Sequence, residues 1–262
     1  MLKPVTDFPI DPQDIEGIVT EDDMPVDNLF SEKQQRLLTE PLYSTWSGPG
    51  EGRPFLAAAN LGVFAETRLP AIVPDMFISL DVHIPEDMWA KLHRSYFIQK
   101  YRKPPDLVVE IVSNKEGGEN AEKRQKYAWM RVPYYVIHDP ELQIMPTALT
   151  AFRLVGVWYM EMDRAWFPEL KLGLRLWEGE FEDQTVCWLR WTDAEGGLIP
   201  TGKEAARSER TRAEQERARA TLADQRAESA QSLALRERQR AEEATLRAER
   251  LADLLRQAGI EP

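Results

Sequence analysis

Glu110 is the residue whose surroundings least suit it. It sits within Leu107-Val108-Val109-Glu110-Ile111-Val112, a stretch that reads as a strand of a covered sheet. An ionised carboxylate there is costly unless something pairs with it. A metal ion is one such partner and a basic side chain is another. Side chains alternate along a strand, so Asp106, Val108, Glu110 and Val112 share one face, and Leu107, Val109, Ile111 and Ser113 share the other. Asp106 and Glu110 are then about 13 Å apart, too far to hold one ion together. The second ligand has to come from another strand. Two Pro-Asp dipeptides border predicted strands, Pro74-Asp75 and Pro105-Asp106. Asp75 is the best candidate, with Asp81 behind it, while Asp106 suits the turn that starts its strand. Two carboxylates converging on one hard cation, with waters completing the octahedron, is the arrangement expected for Mg²⁺ or Mn²⁺ at a phosphoryl site.

The elements that must position these groups follow from local pattern. Between residues 57 and 201 the chain alternates short runs rich in Val, Ile, Tyr and Trp with Pro, Gly and Asp, which predicts strands over 71–84, 107–113, 134–137, 151–160 and 186–191. A helix over 119–131 is stopped by Val132-Pro133, because the residue before a proline is pushed out of the helical region. Upstream, Ser31 and Gln34 have the form of a capping box opening a helix from 31 to about 38, with Phe30 as its staple residue and Pro41 ending it. Residues 1–28 hold many acidic side chains without apolar periodicity and read as an irregular surface arm. The segment Asn114-Lys115-Glu116-Gly117-Gly118 reads as a loop joining the Glu110 strand to the next helix. Seven of the eight tryptophans lie between Trp89 and Trp191, where they are expected to fill a core or cover a sheet.

The chain changes character near Pro200. Ala206, Ala213, Ala220, Ala227, Ala234, Ala241, Ala248 and Leu255 recur every seven residues, with a second set at Ala223, Ala230, Ala244, Leu251 and Ala258. With no Gly or Pro between Lys203 and Ala258, this predicts one long helix with coiled-coil spacing. An alanine seam interrupted by Glu209, Glu216 and Glu237 buries little, so a solvated single helix held by charge pairs is the alternative to self-association. The domain expectation is an arm over 1–28, a mixed α/β domain over 29–200 and a helical tail over 201–262.

Charge narrows the partners. The first 200 residues carry a net charge of −12, and the remaining 62 are nearly neutral, with 13 basic and 12 acidic side chains. Tight nonspecific binding to nucleic acid is disfavoured, since it draws on cations displacing counterions. A local basic patch is still compatible, and Arg94, Lys100, Arg102 and Lys103 are candidates for contacting phosphate. Cys187 is the only thiol, which excludes an internal disulfide and a cysteine-based metal cluster. His83, His93 and His138 show no metal-ligand spacing. No apolar run approaches the roughly 20 residues that cross a bilayer, and no secretory signal is visible, so a soluble, cytoplasmic protein without a membrane partner is expected.

The succession of Pro74-Asp75, PDLVVEIVS (105–113), EKRQKY (122–127) and VPYYVIHDP (132–140) resembles the Uma-two family of restriction endonucleases, within the PD-(D/E)XK nuclease-like superfamily. The resemblance covers roughly residues 30–191, and the tail also resembles those appended to some members. It implies a restriction-endonuclease-like mixed central sheet flanked by helices, followed here by the long C-terminal helix. Asp75 matches the first acidic residue and Glu110 the carboxylate of the second strand, both as metal ligands. The superfamily lysine would fall at position 112, where this chain has Val112. The family's displaced lysine matches Lys123, with Lys126 as its rival, and the matching Lys123 would orient the attacking water. Glu32 corresponds to an outer-shell contact of some superfamily members, although an exposed helix carboxylate is its plainer reading. The implied activity is Mg²⁺- or Mn²⁺-dependent hydrolysis of DNA phosphodiester bonds, with a homodimer through the domain or the helix suited to cutting both strands of a duplex. The competing reading is a catalytically inactive nuclease-fold protein that binds DNA or assembles through its tail, and a third treats Glu110 as a structural carboxylate paired to a helix cation.

Overall fold

Asn28 opens the first helix. In the structure, a computed structural model describing residues 28–46, 48–50, 52–84, 86–113 and 118–257, its side-chain oxygen accepts the Ser31 N–H at 2.8 Å. The cap therefore lies three residues before the expected one. The first helix, α1 (Leu29–Ser44), also runs through Pro41 instead of stopping there. Pro41 costs one intrahelical hydrogen bond, but Leu37, Leu38, Pro41 and Leu42 are all buried, and that packing carries the helix on to Ser44. The expected arm lies almost wholly outside the described residues, as do positions 114–117 of the expected loop.

Downstream come β1 (Phe55–Ala59), β2 (Val63–Phe64), β3 (Met76–Leu80), β4 (Tyr96–Phe97), the short helix α2 (Ile98–Tyr101), β5 (Leu107–Ile111), α3 (Gly118–Trp129) and β6 (Tyr134–His138). They are followed by β7 (Leu149–Val155), β8 (Trp158–Glu161), β9 (Trp166–Phe167), β10 (Leu172–Phe181), β11 (Gln184–Thr192) and the long helix α4 (Gly202–Gln257). The main sheet has six strands in the order β1-β3-β5-β6-β7-β8. Its β5–β6 pair is parallel, joined through α3, and the other pairs are antiparallel. The expected succession of strand, strand, helix, strand is therefore present in a mixed sheet. The expected strand 151–160 is a hairpin, broken at Gly156, which has φ +64°. A three-stranded sheet, β11-β10-β9, and a two-stranded parallel sheet, β2-β4, complete the domain.

The alternation expected along β5 is observed. Leu107 and Val109 belong to one core cluster with Leu38, Leu42, Met76, Val136 and Trp191, and Val108 and Val112 belong to the other with Phe77, Tyr127, Met130 and Tyr135. Of the tryptophans, Trp188 and Trp191 are buried as expected, but Trp89, Trp129 and Trp158 project into solvent. Gln34, fully buried on α1, does the work of a one-residue strand. Its Nε2 donates to the Leu189 carbonyl at 2.8 Å, and its Oε1 accepts the Leu189 N–H at 2.9 Å, which closes the edge of β11. Replacing Gln34 with Leu is expected to cost about 2–4 kcal/mol by urea unfolding, because both Leu189 groups stay buried and lose their partner.

The chain divides into two compact units, with the boundary in sequence between Lys203 and Glu204. In the second unit α4 is continuous and has no buried residue, and the seam alanines from Ala206 to Ala248 are exposed. No helix among the described residues is long and apolar enough to cross a membrane.

Candidate active site

Strand register brings Asp75 and Glu110 together. Met76 pairs with Val109 and Phe77 with Val108, so Asp75, one residue before β3, falls opposite Glu110 on the antiparallel neighbour. The Ile111 N–H donates to Asp75 Oδ2 at 2.7 Å, which ties the carboxylate to the strand that carries Glu110. Its other oxygen, Oδ1, accepts from Gln35 Nε2 at 3.1 Å. Gln35 in turn exchanges hydrogen bonds with the Asn60 side chain, at 3.2 and 2.9 Å. Asn60 holds a left-handed backbone at φ +49°, a conformation asparagine tolerates better than most residues.

Glu110 is 3% exposed, and each of its oxygens has its own donor. The Tyr127 hydroxyl donates to Oε1 at 2.6 Å and Lys123 Nζ donates to Oε2 at 2.9 Å. Lys123 also reaches the Val73 carbonyl at 3.5 Å, so its ammonium lies between the segment leading into β3 and the β5 carboxylate. Both donors come from one face of α3, four residues apart. The end of α3 fixes that face: Arg131 takes a left-handed φ of +65°, and the Val132 N–H bonds back to the Tyr127 carbonyl at 3.0 Å, which is a Schellman cap ahead of Pro133.

The electrostatics follow from two carboxyls facing one lysine. Burial pushes the Glu110 carboxyl up to about 8, and the negative charge of Asp75 adds to the rise, against the opposing pull of Lys123 and Tyr127. Burial also raises Asp75, against the Ile111 N–H, Lys123, Glu110 and Gln35. The site is therefore short of positive charge. Its donors are carboxylate oxygens, and the described residues contain no cluster of three or more His, Cys, Asp or Glu side chains suited to a metal ion. Such a donor set suits a hard divalent cation that keeps several waters, and Asp75 and Glu110 are the residues that could hold it.

The remaining candidates lie elsewhere. Asp81, at the other end of β3 from Asp75, is exposed and paired with Arg53 at 2.8 and 2.5 Å, and that hydrogen bonding lowers its pKa. Asp106 accepts the Leu80 N–H at 2.7 Å and Lys103 Nζ at 2.5 Å, so both Asp106 and Lys103 fasten the start of β5 to the end of β3. Lys126 pairs with Glu122 at 2.5 Å, and it is Lys123 that meets Glu110. Glu32 pairs with Arg36 at 2.8 Å on the surface of α1. Lys100 lies 5.2 Å from the centre of the Tyr101 ring, with burial lowering its pKa, whereas Arg94 donates to the Trp89 carbonyl at 3.0 Å and Arg102 ends α2 in a left-handed turn. The four cations are thus spread over separate local roles. Val112, at the superfamily's lysine position, is buried in the core beside Tyr127.

Gln35 and Asn60 are the site residues that sequence reasoning missed. The signal was Gln35 itself, a polar residue three and seven positions before Leu38 and Leu42 on the apolar stripe of α1. Tyr127 lies one helical turn after Lys123, so the two share a face of α3, but nothing local in the sequence signals its bond to Glu110.

The family model named Uma2 and described as "Putative restriction endonuclease" matches residues 12–162. No curated protein matches the chain. Among solved structures, the chain is similar to a crystal structure from Anabaena variabilis ATCC 29413 described as a putative nuclease belonging to DUF820. The two share 17% identity over 58% of this chain and 75% of that one, with a TM-score of 0.38. The family match spans more than half of the sequence and takes in Asp75, Glu110, Lys123 and Tyr127, and the chain belongs to the Uma2 family.

Proposed function

We propose that the domain is a metal-dependent endonuclease that hydrolyses DNA phosphodiester bonds. The observation that carries this reading is the convergence of Asp75 and Glu110 from two antiparallel strands, with Lys123 Nζ 2.9 Å from Glu110. Asp75 and Glu110 would hold a Mg²⁺ or Mn²⁺ ion, which when bound would supply Lewis-acid polarisation of a phosphoryl oxygen and acidify a water. The protein's own groups do the rest. Gln35 and the Ile111 N–H keep Asp75 aimed at Glu110, and Tyr127 holds one Glu110 oxygen so that the other faces Lys123. The Lys123 ammonium orients the attacking water and stabilises the charge that builds on the phosphate. Membership of a family described as restriction endonucleases supports DNA as the substrate.

The test uses the purified chain and a Glu110→Ala variant with supercoiled plasmid and single-stranded DNA, each with Mg²⁺, Mn²⁺ or EDTA. Nicking that requires metal and disappears in EDTA and in the variant is the expected result. Absence of cleavage together with absence of Mn²⁺ binding by calorimetry overturns the reading and leaves Glu110 as a structural partner of Lys123.

A further inference from the structure

The six-stranded sheet ends in β1 on one side and β8 on the other, and the two edges are treated differently. On β1 the Tyr43 hydroxyl occupies both free groups of Ala57, donating to its carbonyl at 2.9 Å and accepting its N–H at 2.8 Å. Gln34 closes β11 in the same manner. On β8 no described residue does this.

Which β8 groups are open follows from the register. Met162 lies opposite Ala151 and donates its N–H to the Ala151 carbonyl at 2.8 Å, so residues 158, 160 and 162 bond inward to β7. The N–H and C=O groups of Tyr159 and Glu161 therefore point away from the sheet. Along this edge the chain presents Val157-Trp158-Tyr159-Met160, with none of the lysines or prolines that commonly block strand addition. Trp158 is 74% exposed and Met160 59% exposed, on one face beside Val155.

We propose that β8 is a self-pairing edge: two copies of the chain join their sheets by antiparallel β8 pairing about a two-fold axis at Tyr159. A second copy fits because the edge is complementary to itself. Tyr159 meets Tyr159 of the partner subunit in a hydrogen-bonded pair, with Val157 of the hairpin turn facing Glu161 of the partner subunit. Trp158 then lies against Met160 of the partner subunit, an aromatic–thioether contact made twice. The two Glu161 carboxylates fall at opposite ends of the pairing, whereas an axis at Glu161 would set them face to face. The apolar side chains that stand in solvent on one copy become the centre of an isologous interface. This inference does not depend on the nuclease reading.

The test is the mass of the full chain in solution at tens of micromolar, by light scattering and sedimentation. The expected result is two chains, falling to one in the double variant Trp158→Lys, Met160→Lys. Both positions lie in solvent, so far-UV dichroism should stay unchanged. The register is tested by cysteine pairing in a Cys187→Ala background. Positions 158 and 160 of opposite copies form a non-hydrogen-bonded pair with Cα atoms about 4.5 Å apart, within disulfide range. Trp158→Cys with Met160→Cys should oxidise to a double-mass species, and neither single variant should. A wild-type chain of single mass, a double mass that survives the lysine variant, or failure of the double-cysteine chain to cross-link overturns the proposal.

Discussion

Glu110→Gln is expected to remove most of the cleavage activity and, at the same time, to stabilise the metal-free protein at alkaline pH. The argument rests on proton linkage. Burial pushes the Glu110 carboxyl up to about 8 in the folded chain, against 4.5 for a solvated glutamate. Below pH 4.5 both states are protonated and the residue carries no penalty. Between those values the folded state keeps a proton that the unfolded state has lost, so stability falls as pH rises, and the full penalty is present above 8. A shift of this size corresponds to about 3–5 kcal/mol. Glutamine offers its carbonyl to Lys123 and its amide to the Tyr127 oxygen without burying a charge. Urea unfolding in EDTA should show wild type and variant close together at pH 5 and separated by a few kcal/mol at pH 8.5. Added Mg²⁺ should raise the stability of the wild type and leave the variant unmoved, since only the carboxylate gains from the ion. Cleavage should fall by about 10³-fold. An equal gap at both pH values would show that charge burial is not what Glu110 contributes.

Lys123→Ala carries the second large effect. Removing the ammonium takes away the group proposed to orient the attacking water and to stabilise the charge on the phosphate, so cleavage is expected to fall by about 10²–10³-fold. Stability should fall by about 1–3 kcal/mol, a loss limited because Glu110 can stay protonated and Lys123 is partly solvated. Lys126→Ala removes only an exposed pair with Glu122 and should leave cleavage within about twofold of wild type. Plasmid nicking by the two variants, run beside unfolding curves, separates the roles. Equal losses would mean that proximity to Glu110 is not what the reaction uses.

Much of this site could be read from the chain because strand alternation is a local property. The run 107–112 showed that Glu110 faces inward and that Asp106 cannot share its ion, and both follow from a two-residue period. The partner strand was harder. Pro74 and the left-handed Asp81, at φ +59°, confine β3 to five residues, so the expected strand 71–84 was too long. Nothing local sets which residue of β3 falls opposite Glu110. Asn60 and Gln35 meet across 25 positions of chain, and an amide on an amphipathic helix looks the same in sequence whether it faces water or a carboxylate. Pro41 misled for the same reason, since the packing that carries α1 past it involves residues far along the chain. β10 escaped notice because Gly173, Gly179 and three glutamate or arginine side chains break up its apolar pattern.

The join between β3 and β5 is short: three residue pairs, with Asp106 fastening the end. A slip of one residue there would turn Asp75 to the opposite face of the sheet and separate it from Glu110. On the proposed nuclease reading, this acts as a safeguard written into the backbone. A nascent or partly unfolded molecule has the right amino acids but no assembled centre, and becomes dangerous to its host only once the sheet has closed in the correct alignment.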